Sequence, residues 1–310
     1  MIDTIDQLDI ALDQVLAYQR DKATTDRVEA IKPRRPSTPS RHIRAGVKKE
    51  QKRRENIEAA RSSLEVDLLR AFRNRFICGN AIDVLKKIPD SSIDLVVTSP
   101  PYNLKNSTGN GMKDGRGGKW ANAALVNGYA NYNDCMPHDE YTSWQRSCLA
   151  EMLRVIKDDG AIFYNHKWRV QAGLLQDRQD IVSGFPVRQI IIWRRKGGIN
   201  FNPGYFLPTY EVIYLIAKPK FKLAPKANSY GDIWEFMQDM NNPHPAPFPV
   251  DLIERIMSST HAKIVLDPFM GSGTTAVAAK RLKRDFIGID ISQDYCEMAC
   301  SRLMKEGFDI

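Results

Sequence analysis

The chain has 310 residues, and its 43% hydrophobic content is enough for one large α/β core with an appendage. A formal net charge of +8 is typical of proteins that bind a polyanion. The five cysteines and five histidines lack metal-ligand spacing, so we expect no metal site and reduced thiols in a cytoplasmic protein. The charged first residues argue against a signal peptide, and no apolar run is long enough to span a membrane.

The first part of the chain divides into an apolar-periodic stretch and a basic stretch. Residues 1–22 have the pattern of an amphipathic helix. Residues 32–54 contain ten lysines and arginines and one acid, which indicates either a solvated linker or an arm that follows DNA phosphates. We favour the arm, and therefore predict an N-terminal helix and DNA-contacting arm over 1–72 and a catalytic domain over 73–310.

The rest of the chain alternates between strand and helix patterns. Strands are predicted at 75–80, 93–98, 161–165, 189–194, 211–217, 262–266 and 285–290. Helices are predicted at 81–87, at 139–157 with Asp139 as cap and Gly160 as terminator, after Pro249, at 274–282 and from 293. A mobile loop is predicted over 103–138, which is rich in glycine and asparagine. This order predicts an α/β fold with a doubly wound, mostly parallel sheet and helices on both faces.

A glycine-rich turn follows the predicted strand at 262–266. Gly271 and Gly273 allow the backbone to approach a ligand, and a helix begins at Thr274. Asp290 ends the next strand 19 positions after Gly271, near the spacing of about 20 at which an acid binds ribose hydroxyls. Asp267 would repel a diphosphate, which argues against a nicotinamide cofactor and favours the cationic S-adenosylmethionine. A plain strand–helix turn remains the alternative.

A second polar turn, Ser99-Pro100-Pro101-Tyr102, follows the predicted strand at 93–98. An exocyclic base amine is a poor nucleophile, and acceptors aimed at its hydrogens assist its attack on a methyl carbon. The Ser99 hydroxyl and the Pro100 carbonyl are candidate acceptors, and Pro101 stiffens the turn. Tyr102 would stack on a base that has left its duplex. The alternatives are a rigid turn or a ligand for a WW-type domain.

Together these motifs resemble the bacterial DNA amino-methyltransferases, which methylate adenine N6 or cytosine N4. The catalytic motif precedes the cofactor motif, as in their β class, and the similarity covers most of residues 75–305. The resemblance implies S-adenosylmethionine as cofactor. It implies cofactor contacts from Asp267, Phe269, Gly271, Gly273, Thr274, Asp290, Asn80 and Phe248. Asn80 departs from the family's acid, and Tyr210 departs from the histidine that often precedes the equivalent of Glu211.

The family usually has a sizeable target-recognition region where this chain has only residues 218–231. We therefore assign recognition of double-stranded DNA to the basic arm and to the loops at 103–138 and 194–208, in a homodimer. The candidate DNA contacts are Arg34, Arg35, Arg41, Arg44, Lys105, Arg194, Arg195 and Lys196.

We predict the target base from residues at and after Ser99-Pro100-Pro101-Tyr102, which we call the catalytic turn. Ser99 resembles the cytosine-N4 members, whereas Asn103-Leu104 resembles the adenine-N6 members, and we favour adenine. Enzymes that methylate glutamine side chains or structured RNA share the turn, but their motif order is the opposite. A non-catalytic DNA-binding protein with a degenerate methyltransferase fold is a further alternative, against which the intact motif residues argue.

Overall fold

The computed structural model describes residues 2–28, 51–56, 66–103, 136–171, 174–195, 203–237 and 248–308. The chain forms two compact units, one of residues 1–5 with 73–310 and the other of residues 6–72. Within the described ranges, no helix has the combination of length and apolar character that a bilayer crossing requires. Most of the predicted basic arm, at 29–50, and most of the predicted loop, at 104–135, lie outside the described residues.

The described part of the chain contains both strands and helices. The strands, in chain order, are β1 (Ile2–Thr4), β2 (Arg75–Cys78), β3 (Ile93–Thr98), β4 (Ile156–His166), β5 (Arg169–Gln171), β6 (Leu174–Gln176), β7 (Val187–Arg194), β8 (Tyr210–Ala217), β9 (Ile233–Glu235), β10 (Ile264–Asp267) and β11 (Asp285–Asp290). The helices are α1 (Ile5–Val28), α2 (Ala81–Leu85), α3 (His138–Val155), α4 (Gln179–Val182), α5 (Val250–Ser258), α6 (Thr274–Arg281) and α7 (Gln293–Lys305). Residues 51–56 and 66–72 are also helical.

Nine of the described strands form one sheet in the order β1-β2-β11-β10-β3-β4-β8-β7-β9. In this sheet order, each strand from β1 through β2, β11, β10 and β3 to β4 is parallel to the next. β8 is antiparallel to both β4 and β7, and β9 is parallel to β7. The predicted doubly wound, mostly parallel sheet is therefore confirmed. β10 and β3 are adjacent, and the chain leaves them in opposite directions, through α6 to β11 and through α3 to β4. Ligands bind at such a switch point, beside the carboxyl ends of the strands.

The central strands are continuous apolar runs because they are buried on both faces. Leu95 and Val97 of β3 and Val265 of β10 are fully buried and belong to the main core cluster. On one face, α5 contributes Leu252 and Ile256 to the same cluster, at helical spacing. This packing fixes β3 and β10 side by side and therefore fixes the positions of the turns that follow them.

The predicted end of helix 139–157 at Gly160 is wrong. Helix α3 begins at His138, after Pro137 rather than Asp139, and ends at Val155; Ile156 is already extended and starts β4. Gly160 lies inside β4, where a Cβ atom would lie 2.9 Å from the Ile156 Cβ and 3.1 Å from the Asp94 carbonyl oxygen. The glycine therefore permits the close approach of β3 and β4, and it does not terminate a helix.

The predicted helix start at residue 1 is also wrong, because residues 2–4 form an edge strand of the main sheet. Ile2 is in register with Phe76 of β2, and Arg75 donates to Asp3 at 2.6 Å. The strands β5, β6 and β9 were not predicted either. Each has three residues, which is too short to show a period of two.

Candidate active site

The two predicted turns meet at one edge of the sheet. Thr98, the last residue of β3, donates from Oγ1 to Asp267 Oδ1 at 2.8 Å. Asp267 is the last residue of β10, and Thr275 of α6 donates to its other carboxylate oxygen at 2.6 Å. Thr98, which precedes the catalytic turn, is thus hydrogen-bonded directly to Asp267, which precedes the glycine turn.

Asp267 serves as a buried link between these elements. Its side chain is 3% exposed, and burial raises the pKa of the carboxyl to about 6. The Phe269 amide also donates to Oδ1, at 3.1 Å. Since both oxygens already accept hydrogen bonds within the chain, the contact of Asp267 with a cationic ligand stays a prediction.

The glycine turn is tied to the acid that ends β11. The Gly271 amide donates to Asp290 Oδ2 at 3.0 Å, and the Ser292 amide donates to Oδ1 at 2.9 Å. Burial raises the pKa of Asp290 to about 6. Gly271 and Gly273 have φ of 50° and 76°, the left-handed region that favours glycine. The spacing of 19 positions thus corresponds to a direct contact between the two motifs.

The other predicted cofactor residues have mixed roles. Asn80 caps α2 by accepting from the Ile82 amide at 2.9 Å, and Gly79 beside it donates to the Asp290 carbonyl at 2.9 Å. Thr274 is 4% exposed and accepts from Arg302 at 2.8 Å, so it faces α7. The Phe269 ring contacts Trp144 edge-on at 5.6 Å, and Phe248 packs on Trp193 at 6.0 Å. Asn80 and Asp290 therefore lie at the same edge, whereas Thr274 and Phe248 are packing residues in this conformation.

The catalytic turn forms a buried polar network with β4 and β8. Ser99 Oγ lies 2.6 Å from the Tyr102 hydroxyl, which donates to Glu211 Oε2 at 3.0 Å. Asn165 Nδ2 donates to the Tyr102 hydroxyl at 2.6 Å, to Glu211 Oε2 at 2.8 Å and to Ser99 Oγ at 3.3 Å. Arg195 lies 3.3 Å from Glu211 Oε1. These contacts fix the serine hydroxyl and the tyrosine relative to each other.

Tyr102 does not present its ring for stacking in this conformation. The side chain is 6% exposed, and its ring lies 4.8 Å from that of His166. The Pro101 carbonyl accepts from the Tyr141 hydroxyl at 2.8 Å and from Gln145 Nε2 at 3.2 Å, so α3 anchors the turn. The predicted stacking of Tyr102 on a base therefore requires the side chain to leave these contacts.

Asn165 was not predicted as a site residue, and Glu211 was noted only through the family resemblance. Asn165 is 1% exposed, and its Oδ1 has no hydrogen-bond partner among the described residues. The available signal was an amide and an acid at the ends of apolar runs that read as buried strands, since such groups need partners. Their pairing depends on the order β3-β4-β8, which the sequence did not reveal.

The predicted DNA contacts are only partly described. Arg194 is exposed and pairs with Glu235, whereas the Arg195 side chain is 15% exposed and pairs with Glu211. In this conformation Arg195 therefore belongs to the polar network around Glu211, and its contact with DNA stays a prediction. The remaining candidates, Arg34, Arg35, Arg41, Arg44, Lys105 and Lys196, lie outside the described residues.

Comparison with known proteins identifies the family to which this site belongs. A family model for DNA methylases of the N6/N4 type matches residues 93–301. The chain is a member of this DNA methylase family. The match includes both turns and the strands that carry them, and it confirms the resemblance to β-class DNA amino-methyltransferases.

Two relatives of this DNA methylase are type II methyltransferases. M.BglII of Bacillus subtilis is 30% identical, and the match covers 75% of this chain and 69% of that protein. M.HpaI of Haemophilus parainfluenzae is 32% identical, and the match covers 76% of each protein. About three quarters of the methylase thus align with type II methyltransferases.

Solved structures share the fold. TTHA0409 of Thermus thermophilus, described as a DNA modification methylase, has a TM-score of 0.55 and 26% identity over 76% of this chain and 97% of that one. Another structure of that protein contains S-adenosyl-L-methionine. The cytosine-N4-specific PvuII DNA methyltransferase has a TM-score of 0.58 and 18% identity over 76% of this chain and 87% of that one.

Proposed function

We propose that this DNA methylase transfers a methyl group from S-adenosylmethionine to the exocyclic amine of a flipped base, with adenine N6 favoured over cytosine N4. The observation that carries the proposal is the hydrogen bond between Thr98 and Asp267. It holds a turn suited to an amine beside a turn suited to a cofactor, at the switch point of the sheet. A methyl donor and a methyl acceptor need this proximity.

The residues at the end of β11 fit the cofactor. Asp290 accepts from the Gly271 amide on Oδ2 and from the Ser292 amide on Oδ1, and a carboxylate oxygen has a second lone pair that suits a ribose hydroxyl. Ile291 is 47% exposed and provides an apolar surface next to that acid, suited to an adenine ring. When bound, S-adenosylmethionine supplies an electrophilic methyl carbon on a sulfonium.

The catalytic turn would activate the target amine by accepting hydrogen bonds from it. The lone pair of the amine is delocalised into the base ring, and acceptors at its two hydrogens favour the pyramidal nitrogen that attacks. Ser99 Oγ and the Pro100 carbonyl are the proposed acceptors, and α3 fixes the turn through Pro101. Because a base inside a duplex cannot reach this buried turn, the target must be flipped out.

Cytosine N4 is the second candidate target, and Ser99 is the residue that favours it. The first position of the turn is an acid in many adenine members, and here it is a hydroxyl that can accept from either amine. Asn103 favours adenine by resemblance, but it is 1% exposed and both of its polar side-chain atoms bond the Met136 backbone. In this conformation its side-chain amide therefore supports the turn.

Analysis of the methylated product tests the proposal. Unmethylated genomic DNA is incubated with the protein and labelled S-adenosylmethionine, digested to nucleosides and separated by chromatography. We expect label in N6-methyladenine, whereas label in N4-methylcytosine would select the second candidate. Cofactor binding by calorimetry without any labelled nucleoside would instead favour a non-catalytic DNA-binding protein.

The predicted homodimer remains part of the proposal. Ile10 of α1 is 60% exposed, although the neighbouring Leu8 and Leu12 are buried, and an exposed isoleucine on an amphipathic helix suits a contact with a second copy. Sedimentation equilibrium of the wild type and of Ile10→Asp tests this. A dimer that the substitution dissociates would support the contact, and a monomeric wild type would contradict it.

A further inference from the structure

A continuous chain of hydrogen bonds connects the predicted amine acceptor with a buried carboxylate. It runs from Ser99 Oγ to the Tyr102 hydroxyl at 2.6 Å, and from there to Glu211 Oε2 at 3.0 Å. Glu211 is 7% exposed, at the start of β8, and is thus shielded from bulk water. The connection is internal to the protein, so a proton can move along it without passing through solvent.

The direction of these bonds follows from the number of protons available. Tyr102 has one hydroxyl proton, and it points to Glu211 because an ionised carboxylate can only accept. Ser99 must therefore donate its own proton to the Tyr102 oxygen. Asn165 Nδ2 can only donate, and it donates a further hydrogen bond to the Tyr102 oxygen, at 2.6 Å. Ser99 Oγ has two lone pairs, and one of them accepts from Asn165 Nδ2 at 3.3 Å, so the other remains to accept from an amine.

Methylation of an amine leaves a surplus proton on the base nitrogen. The new N–C bond uses the lone pair of the nitrogen, the S–C bond breaks with its electron pair staying on sulfur, and the nitrogen must then lose a proton. A serine hydroxyl is too weak a base to keep that proton, whereas a carboxylate holds it readily. Ser99 can therefore pass this proton on only if it is connected by hydrogen bonds to a carboxylate that takes it up.

We propose that Glu211 is the terminal acceptor of this proton and that the Tyr102 hydroxyl relays it. The nitrogen gives its proton to Ser99, Ser99 gives its own to Tyr102, and Tyr102 gives its own to Glu211. Each hydroxyl gains one proton and loses one, and Glu211 ends as the neutral acid. This inference rests on the proposed function, and it assigns to Tyr102 a role for its hydroxyl that is independent of ring stacking.

Two neighbours hold the relay in place as positioning residues. Arg195 lies 3.3 Å from Glu211 Oε1 and balances the negative charge of the ionised carboxylate. Asn165 Nδ2 donates to Glu211 Oε2 at 2.8 Å as well as to Tyr102, so it fixes the distance between them. Neither group can accept the proton at the atoms that make these contacts.

The relay is tested with Tyr102→Phe, Glu211→Gln and the double variant. Tyr102→Phe keeps the ring and removes only the hydroxyl. Single-turnover rates are measured with unmethylated genomic DNA and saturating labelled S-adenosylmethionine. We expect each single variant to be about 100-fold slower, as for loss of a proton acceptor. The double variant should be no slower than the slower single variant, because the two groups act as one unit.

Tyr214→Phe is the matched control. It makes the same chemical change on β8, where the hydroxyl donates to the Asp177 carbonyl, outside the relay. We expect it to keep the wild-type rate, and calorimetry should show unchanged cofactor affinity for all four variants.

Each outcome distinguishes the relay from the proposed function. A Tyr102→Phe rate equal to the wild-type rate overturns the relay while leaving methyl transfer established, as does an additive loss in the double variant. Should Glu211→Gln fail to fold, the Tyr102→Phe rate alone decides. A wild type that binds the cofactor and methylates no DNA overturns the proposed function, and the relay with it.

Discussion

Asp267 shows how one buried side chain joins two motifs that are far apart in sequence. Its carboxylate accepts from Thr98 and Thr275 while it is 3% exposed, and the burial raises its pKa from 3.8 to about 6. The folded chain therefore binds this proton more tightly than the unfolded chain does. The sign is the opposite of that for a salt-bridged acid, since stability from this group is lost as the pH rises.

Asp267→Asn should weaken the dependence of stability on pH. In the wild type, Asp267 should lower the free energy of unfolding by about 3 kcal/mol as the pH rises from about 4 to about 6. Asparagine keeps the volume and one acceptor but does not ionise. Urea denaturation from pH 4 to pH 8 measures the effect. Parallel stability profiles for variant and wild type would contradict the role of Asp267 as a buried, ionisable link. Asp290 titrates in both proteins, so its contribution to the pH dependence cancels when the two profiles are compared.

At the level of elements, the packing of α7 constrains the conformation of the glycine turn. Gly273 has φ of 76°, and a Cβ atom there would lie 2.7 Å from the Ala299 Cβ of α7. The sequence suggested that this glycine allows close approach of a cofactor. The contact shows that it also allows close approach of a helix.

Gly273→Ala should destabilise the protein by more than Gly307→Ala does. Gly307 has φ of 80° but open space around its would-be Cβ atom, so it carries the same backbone strain without the clash. We expect the difference in the free energy of unfolding to be about 2 kcal/mol, the cost of overpacking. Equal losses for the two variants, measured by chemical denaturation, would show that backbone conformation alone requires Gly273.

The sequence predicted the elements that the core dictates and missed those that tertiary contacts dictate. β3, β10 and β11 are apolar runs bounded by turn residues, so their pattern is visible locally. The strand β1 is three residues long and exists because β2 offers it a parallel edge. The end of α3 was misplaced because Ile156 fits a helical period as well as it fits the start of β4.

The same distinction applies to the site. Ser99, Gly271 and Asp290 lie at or just after the ends of strands, in recognisable motifs, so the sequence alone made them candidates. Asn165 and the Glu211–Arg195 pair depend on which strands are neighbours, and one sequence does not determine strand order.

For the whole molecule, β1 changes how the predicted DNA-contacting arm has to be tested. Deleting residues 1–60 would remove the arm together with β1 and the Asp3–Arg75 ion pair, so weaker DNA binding would be ambiguous. Replacing side chains within the arm avoids this problem, because residues 2–28 are kept.

A variant with four arm arginines replaced should bind DNA more weakly and with a shallower salt dependence. Its substitutions are Arg34→Gln, Arg35→Gln, Arg41→Gln and Arg44→Gln. If all four arginines contact phosphates, the slope of log affinity against log salt should decrease by about 4. The control replaces the exposed Lys86, Lys222, Lys283 and Lys305 with glutamine, which makes the same change in net charge. An arm variant that binds as the wild type does would remove the arm from the DNA interface.

We propose that two turns, distant in the chain, form one site for methyl transfer. Ser99→Ala removes the proposed acceptor and leaves the Thr98–Asp267 bond and the Asp290 contacts in place, and Ser92→Ala, whose hydroxyl bonds the Pro89 carbonyl, is its matched control. The deciding measurement is the single-turnover rate of methyl transfer to DNA, with cofactor affinity measured in parallel. We expect Ser99→Ala to lose about 100-fold in rate at unchanged cofactor affinity, and Ser92→Ala to lose nothing. A Ser99→Ala enzyme that methylates DNA at the wild-type rate would show that the turn beginning at Ser99 does not activate the amine.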